Sequence, residues 1–158
     1  MRVVVQADLD DMSLTAAEYV RDRINQNGGD RLFVLGLPTG STPVGMYQHL
    51  VSMVEEGKLS FANVATVNMD EYCGLPPTHP CSYKMFMDTH LLDHVDIKRE
   101  NVLIPGSDYT PGDCLRYEET IRKWGGVDLF IGGLGHDGHL AFNEPGSSLS
   151  SRTRVVDL

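Results

Sequence analysis

The chain has 158 residues, 41% of them hydrophobic, which suits one globular domain with a real core. Thirteen basic against twenty-two acidic residues give a net charge of -9, arguing against nucleic acid or an anionic membrane surface as the main partner. Three cysteines, Cys73, Cys81 and Cys114, are an odd number without C-x-x-C spacing, so neither a disulfide framework nor a zinc knuckle is indicated.

The opening "MRVVVQADLDD" carries an apolar run too short for a signal-peptide core or a membrane span, and the reading is a soluble, cytoplasmic protein. Val3 to Val5 is predicted as a strand. Leu14, Ala17, Val20 and Ile24 then recur at helical spacing behind a Ser13 cap, and the helix ends at Gly28-Gly29. "RLFVLGL" is the second predicted strand. Thr42 as a cap and Pro43 at the first helical position start another helix, whose face is Val44, Tyr47, Leu50, Val51 and Val54, stopped by Gly57.

"VATVNM" is a third buried strand, followed by a loop holding Gly74, Pro76, Pro77 and Pro80. A helix is expected from Ser82 onward, then a short "NVLIP" strand, an amphipathic helix over Asp113 to Trp124, and a buried "VDLFIG" strand. Strands that run apolar and alternate with helices predict an open, mainly parallel α/β sheet with helices on both faces, a Rossmann-like three-layer arrangement. Ligands in such sheets bind beyond the carboxyl ends of the strands. Three of those ends lead into polar or glycine-rich text: "GLPTGSTP", "NMDEY" and "GGLGHDGHLAFNEP". They should converge on one crevice.

In the first loop, Thr39, Gly40 and Ser41 precede a helix start, where small residues and free N–H groups favour an anion such as phosphate. No lysine follows as in a Walker loop, and an ordinary capped turn is the alternative. In the second, Asp70, Glu71 and Tyr72 stand where a parallel strand delivers side chains to the crevice. A carboxyl held partly dry there would suit proton abstraction, with Glu71 and Tyr72 as candidate substrate-binding residues. The alternative is that one acid faces solvent and the other caps the loop.

The third loop spells G-x-G-x-x-G from Gly133 to Gly138, the form of a dinucleotide-binding turn. Pro145-Gly146 and "SSLSSR" leave too little room for the helix and strand such a turn must feed before Asp157, so the cofactor reading fails. Asp137 and His139 instead have the spacing of an acid that orients an imidazole, and Glu144 could complete a relay. His136 and His139 form only a weak metal pair, and no metal or cofactor is expected. His49, His79, His90 and His94 show no paired groups in the sequence and read as surface or satisfied positions.

"LGLPTGSTP", "VNMDEYCGL", "SYKMFM", "HVDIKRENV" and "GGLGHDGHLAFNEPGSSLSSRTR", in that order, resemble the glucosamine-6-phosphate deaminase family of sugar-phosphate isomerase/deaminases. The resemblance runs along essentially the whole chain. It implies conversion of glucosamine 6-phosphate and water to fructose 6-phosphate and ammonium in amino-sugar catabolism, without a cofactor. It implies Asp70 as proton acceptor for enolisation, His139 as the base that opens the pyranose ring, and Asp137 and Glu144 as its ring-opening partners. Thr39, Gly40 and Ser41 would receive the phosphate.

Ser147 and Arg154 match a regulatory phosphate site for N-acetylglucosamine 6-phosphate in some family members, but Val156 stands where those members carry a lysine. Family members also continue beyond residue 158 with further strands and basic phosphate ligands. The expectation is therefore one sugar-phosphate isomerase/deaminase domain over 1–158, incomplete relative to the family, with a small-molecule substrate; a homo-oligomer is compatible. Two alternatives remain at this point. One is a non-catalytic chain that binds sugar phosphate weakly or pairs with a full-length subunit. The other is a 6-phosphogluconolactonase-like hydrolase, whose G-x-x-D-G-H core lacks the "AFNEP" continuation.

Overall fold

A computed structural model describes residues 2–106 and 110–158. Four strands, β1 (Phe33–Leu37), β2 (Val64–Asn68), β3 (Val102–Leu103) and β4 (Leu129–Phe130), form one sheet in the order β3-β2-β1-β4, every pair parallel. The helices are α1 (Leu9–Gln26), α2 (Val44–Glu55), α3 (Tyr83–Met87) and α4 (Pro111–Lys123). A π turn over Asp88–Leu92 extends α3, and a 3-10 turn spans Arg99–Asn101. Among the described residues no helix is long and apolar enough to cross a membrane.

Side chains alternate across β1 and β2, and each face has its own helical cover. Phe33, Leu35, Leu37 and Val64 pack with Ala17, Val20 and Ile24 of α1, Tyr47 and Leu50 of α2, and Met87, Leu91 and Leu92 from α3 and its π turn. On the other face Val34, Ala65 and Val67 meet Tyr117, Ile121 and Trp124 of α4 and its end. Full burial of a leucine-sized side chain contributes about 2 kcal/mol, so the first, larger cluster supplies most of the core's stability. The predicted open α/β sheet with helices on both faces is the fold observed.

Several local expectations are corrected. Val3 to Val5 forms no strand; Val3 and Val5 are 73% and 86% exposed, with no neighbouring strand to satisfy their backbone. Helix α1 starts earlier, capped by Asp8, whose side chain accepts the Asp11 N–H at 2.9 Å. Ser13 is an interior, buried residue at the α1–α2 crossing, where a Cβ on Gly45 would come within 2.7 Å of its Oγ. Pro43 itself takes the cap position of α2 and no side chain caps that end. "NVLIP" contributes only two strand residues. "VDLFIG" contributes two as well, on the outer strand of the sheet, where Phe130 is 48% exposed and not buried.

Helix α4 begins with a reciprocal capping box: Thr110 accepts from the Asp113 N–H, and Asp113 accepts from the Thr110 N–H. At the amino ends of β1 and β4, Arg31 donates to both carboxylate oxygens of Asp128, and Asp128 Oδ2 also accepts the Val34 N–H at 2.9 Å. The register fixes what happens at the opposite end. Gly36 is level with Val67 and with Phe130, so Thr39, Asp70 and Gly133, each three residues further on, leave the sheet at the same height.

Candidate active site

Asp70 stands at the carboxyl end of β2, two residues past Asn68. Its Oδ1 is buried and accepts no hydrogen bond from the described residues, and burial, helped by the negative charge of Glu71, pushes the carboxyl up to about 6. Such a group can hold or release a proton near neutral pH. It lines a cleft of about 560 Å³ together with Tyr72, Phe142, Glu144, Ser147 and Arg154.

Glu71 lines the cleft too, but its carboxylate is committed to the backbone. It accepts the N–H groups of Tyr72, Tyr83 and Lys84 and the Ser82 hydroxyl, at 2.8 to 2.9 Å. Ser82 also caps α3 directly, accepting from Lys84 N. Glu71 therefore fixes the start of α3 against the Asp70 loop and places a second negative charge beside Asp70. The capping alternative read from the sequence describes this residue.

The glycine-rich loop after β4 folds as two consecutive turns. Gly135 N–H donates to the His139 carbonyl at 2.9 Å and Gly138 N–H to the Gly135 carbonyl at 3.0 Å, with Gly138 at φ +93°. The side chains of Asp137 and His139 meet across this turn: Nδ1 lies 2.7 Å from Asp137 Oδ1, which also accepts the His139 backbone N–H at 3.1 Å. That backbone hydrogen bond, with the imidazole, holds the Asp137 carboxyl below its ordinary range. A carboxylate on Nδ1 selects the tautomer protonated there and leaves Nε2 free to exchange a proton. Gly135 is required by this packing, since a Cβ there would come within 2.3 Å of the imidazole.

The second turn is closed by Leu140 and Asn143, which exchange both backbone hydrogen bonds at 3.0 and 3.1 Å. Ala141 has φ +55° at its tip, a left-handed conformation that a residue with a Cβ rarely takes. Phe142, next to it, stacks on Tyr83 with centroids 5.9 Å apart and lies 5.0 Å from the Tyr72 ring. Tyr72 and Tyr83 are themselves 5.0 Å apart. The Tyr83 hydroxyl is pushed above its ordinary range by burial first, then by Tyr72 and the nearby Asp70 charge, with Thr39 acting in the opposite sense.

Thr39, Gly40 and Ser41 leave β1 at the height of Asp70; Gly40 has φ +100°, and the Tyr47 hydroxyl holds the loop by donating to the Pro38 carbonyl. The cleft lining includes Asp70, Glu71, Tyr72, Glu144, Ser147 and Arg154. Thr39, Gly40, Ser41, Asp137 and His139 stand outside it, His139 next to the lining residues Gly138 and Leu140. Arg154 donates to Asn143 Oδ1 at 3.0 Å and to Ser151 Oγ at 3.1 Å, and Ser147 N–H donates to the Glu144 carbonyl. Tyr83 and Phe142 have no role in the sequence reading; each is an ordinary apolar position until the loops are brought together.

The histidines outside the loop are satisfied positions, as read from the sequence, with partners that the sequence did not show. His49 reaches Asp10 at 3.3 Å, His79 Nδ1 accepts the Cys81 N–H at 3.1 Å, and His94 Nε2 lies 2.9 Å from the Thr89 carbonyl. His90 packs against Phe86, with ring centroids 4.4 Å apart.

A partly dried carboxyl and a carboxylate-fixed imidazole, both at the carboxyl edge of an open parallel sheet, are the layout of an acid–base catalyst. Residues 7–156 match the family described as glucosamine-6-phosphate isomerases/6-phosphogluconolactonase, and the chain belongs to that family. It is 51% identical to a glucosamine-6-phosphate deaminase of Phocaeicola vulgatus and 52% identical to one of Porphyromonas gingivalis, in each case over all of this chain and 62% of the relative. The chain thus spans less than two thirds of the length of these curated relatives. Among solved structures it superimposes on a monomeric glucosamine-6-phosphate deaminase with TM-score 0.94 at 38% identity, covering 100% of this chain and 65% of that one. A 6-phosphogluconolactonase of Thermotoga maritima shares the fold, with TM-score 0.70 at 23% identity over 89% of this chain and 62% of that one.

Proposed function

We propose that this chain carries the acid–base groups of a glucosamine-6-phosphate deaminase acting in amino-sugar catabolism. The observation that carries the reading is the unpartnered, partly dried carboxyl of Asp70 in a cleft bordered by the Asp137–His139 turn. The relatives of about half identity named as deaminases agree with it.

In this reading His139, oriented by Asp137, takes the proton from the C1 hydroxyl and delivers it to the ring oxygen as the C1–ring oxygen bond breaks, so the pyranose opens to the C1 aldehyde. Glu144, on the same loop, assists. Asp70 then removes the C2 proton and returns a proton to C1, converting the amino aldehyde to a C2 imine. Water adds at C2, nitrogen departs as ammonium, and the C2 carbonyl of fructose 6-phosphate remains. Thr39, Gly40 and Ser41 face the phosphate, where the left-handed Gly40 lets the backbone approach an anion.

The test is release of ammonium and fructose 6-phosphate from glucosamine 6-phosphate by the full-length protein, with Asp70→Asn abolishing both. A folded full-length protein that releases neither product defeats the reading. Hydrolysis of 6-phosphogluconolactone in place of deamination would move the assignment to the other branch of the family.

A further inference from the structure

Three aromatic rings occupy the space between the Asp70 loop, the start of α3 and the tip of the glycine-rich loop, and the acid–base steps above use none of them. Tyr72 is two residues from Asp70, Tyr83 begins α3, and Phe142 comes from the far loop. Phe142 is the ring that crosses between loops. It is delivered by a tight turn: Leu140 and Asn143 close that turn with two backbone hydrogen bonds, and Ala141 holds a left-handed φ of +55°. The turn begins one residue after His139, so the seat of Phe142 also sets where the Asp137–His139 pair sits relative to Asp70.

We propose that Phe142 is a positioning residue for Asp70: seated on Tyr72 and Tyr83, it docks the loop of Asp137, His139 and Glu144 onto the Asp70 loop and keeps water from that side of the carboxyl. The proposal relies on the deaminase reading only for its kinetic consequence; the seating stands on the ring contacts to Tyr72 and Tyr83, and the buried Asp70 Oδ1 is the atom it would keep dry. The other ionisable groups around Asp70 are Glu71, Tyr72 and Tyr83 on its own side and Cys73, Glu144, Arg152 and Arg154 elsewhere in the cleft lining. None of these is removed by a change at Phe142, so a change in Asp70 titration would report hydration and placement.

The test is a graded series, Phe142→Leu, Phe142→Val and Phe142→Ala, in the full-length protein, with Asp70 titration followed by carboxyl-carbon NMR and assigned by Asp70→Asn. The expected midpoint is near 6 in the parent. It falls stepwise with the volume removed, by about one unit in the smallest variant that folds, while Phe142→Leu stays close to the parent. In the deamination assay kcat falls about tenfold in Phe142→Ala with KM changed much less, the split expected when a reacting group is misplaced. A flat set of midpoints across the folded variants overturns the proposal, even if stability drops. A parent that titrates near 6 yet deaminates nothing would defeat the deaminase reading and leave this one standing. Because Leu and Val are milder than Ala, failure of Phe142→Ala to fold still leaves two points to decide it.

Discussion

Asp137 Oδ1 binds His139 twice, through the backbone N–H at 3.1 Å and through Nδ1 at 2.7 Å. One oxygen thus shapes the turn and orients the ring. Asp137→Asn would keep the size of the side chain but offer a neutral acceptor or a donor to Nδ1, releasing the tautomer preference. The expected outcome is a fall in kcat of about a hundredfold, in the range of a lost acid–base contribution, with KM little changed. Steady-state kinetics of the full-length variant check this, and an unaltered kcat would remove Asp137 from the ring-opening group.

Asp70 links stability to pH with the sign opposite to that of a salt-bridged carboxylate. Its folded value, about 6, exceeds the ordinary 3.8, so the stability held by the neutral carboxyl is complete below pH 4 and is lost as pH rises through 6. The shift corresponds to about 3 kcal/mol at most, reduced to about 1–2 kcal/mol because water still reaches the group. Asp70→Asn should therefore unfold at a higher temperature than the parent at pH 8, by a few degrees, and at the same temperature at pH 4. For the active protein, kcat/KM should rise with pH through about 6 as the proton acceptor ionises. Calorimetry at the two pH values and a pH–rate profile measure these separately.

Glu71 joins helix capping to the titration of its neighbour. Glu71→Gln keeps some acceptor capacity but removes the charge that helps raise Asp70, so the acidic limb of kcat/KM should move to lower pH. Glu71→Ala removes the partner of three backbone N–H groups and should cost about 2 kcal/mol, read by denaturant unfolding. An acidic limb that stays in place in Glu71→Gln would mean that burial alone raises Asp70.

Gly135→Ala inserts a methyl group at 2.3 Å from the His139 ring in a turn that contributes little to the core. The imidazole must move, and a displacement of about 1 Å at a reacting group costs on the order of a hundredfold in rate. Activity should collapse while the melting temperature changes by only a degree or two. Ala141→Gly is the control in the opposite sense: it relieves a left-handed φ of +55° and should be tolerated in folding.

Much of this arrangement is readable along the chain because it depends on local pattern. Ala17, Val20 and Ile24 mark the buried face of α1, although Leu14, read with them, is 38% exposed, and the apolar runs of β1 and β2 announce a sheet covered on both faces. Val3 to Val5 misleads because an apolar run becomes a strand only where another strand pairs with it. Ser13 has the chemistry of a cap, yet its small size serves the crossing with Gly45. Asp137 and His139 are legible from spacing alone, being partners within one turn. Tyr83 and Phe142 are not, since their value lies in contacts between segments far apart in sequence, and no periodicity registers such a meeting. Glu71 is intermediate: an acid after a strand is conspicuous, but its commitment to a helix starting twelve residues later is visible only in three dimensions.

The Arg31–Asp128 clasp lies at the end of the sheet away from Asp70, where it joins the entry of β1 to that of β4 and takes the Val34 N–H as well. Outer strand β4 is thereby pinned at its root, where the Asp128 N–H also donates to the Val34 carbonyl at 2.8 Å, and its two strand residues pair with β1 beyond it. The far end has a tie of its own, the Ile131 N–H on the Gly36 carbonyl at 2.9 Å. The clasp and that bond between them fix the height at which the chain leaves the sheet toward the turn that carries His139, so a charge pair remote from any proton transfer helps to place the imidazole.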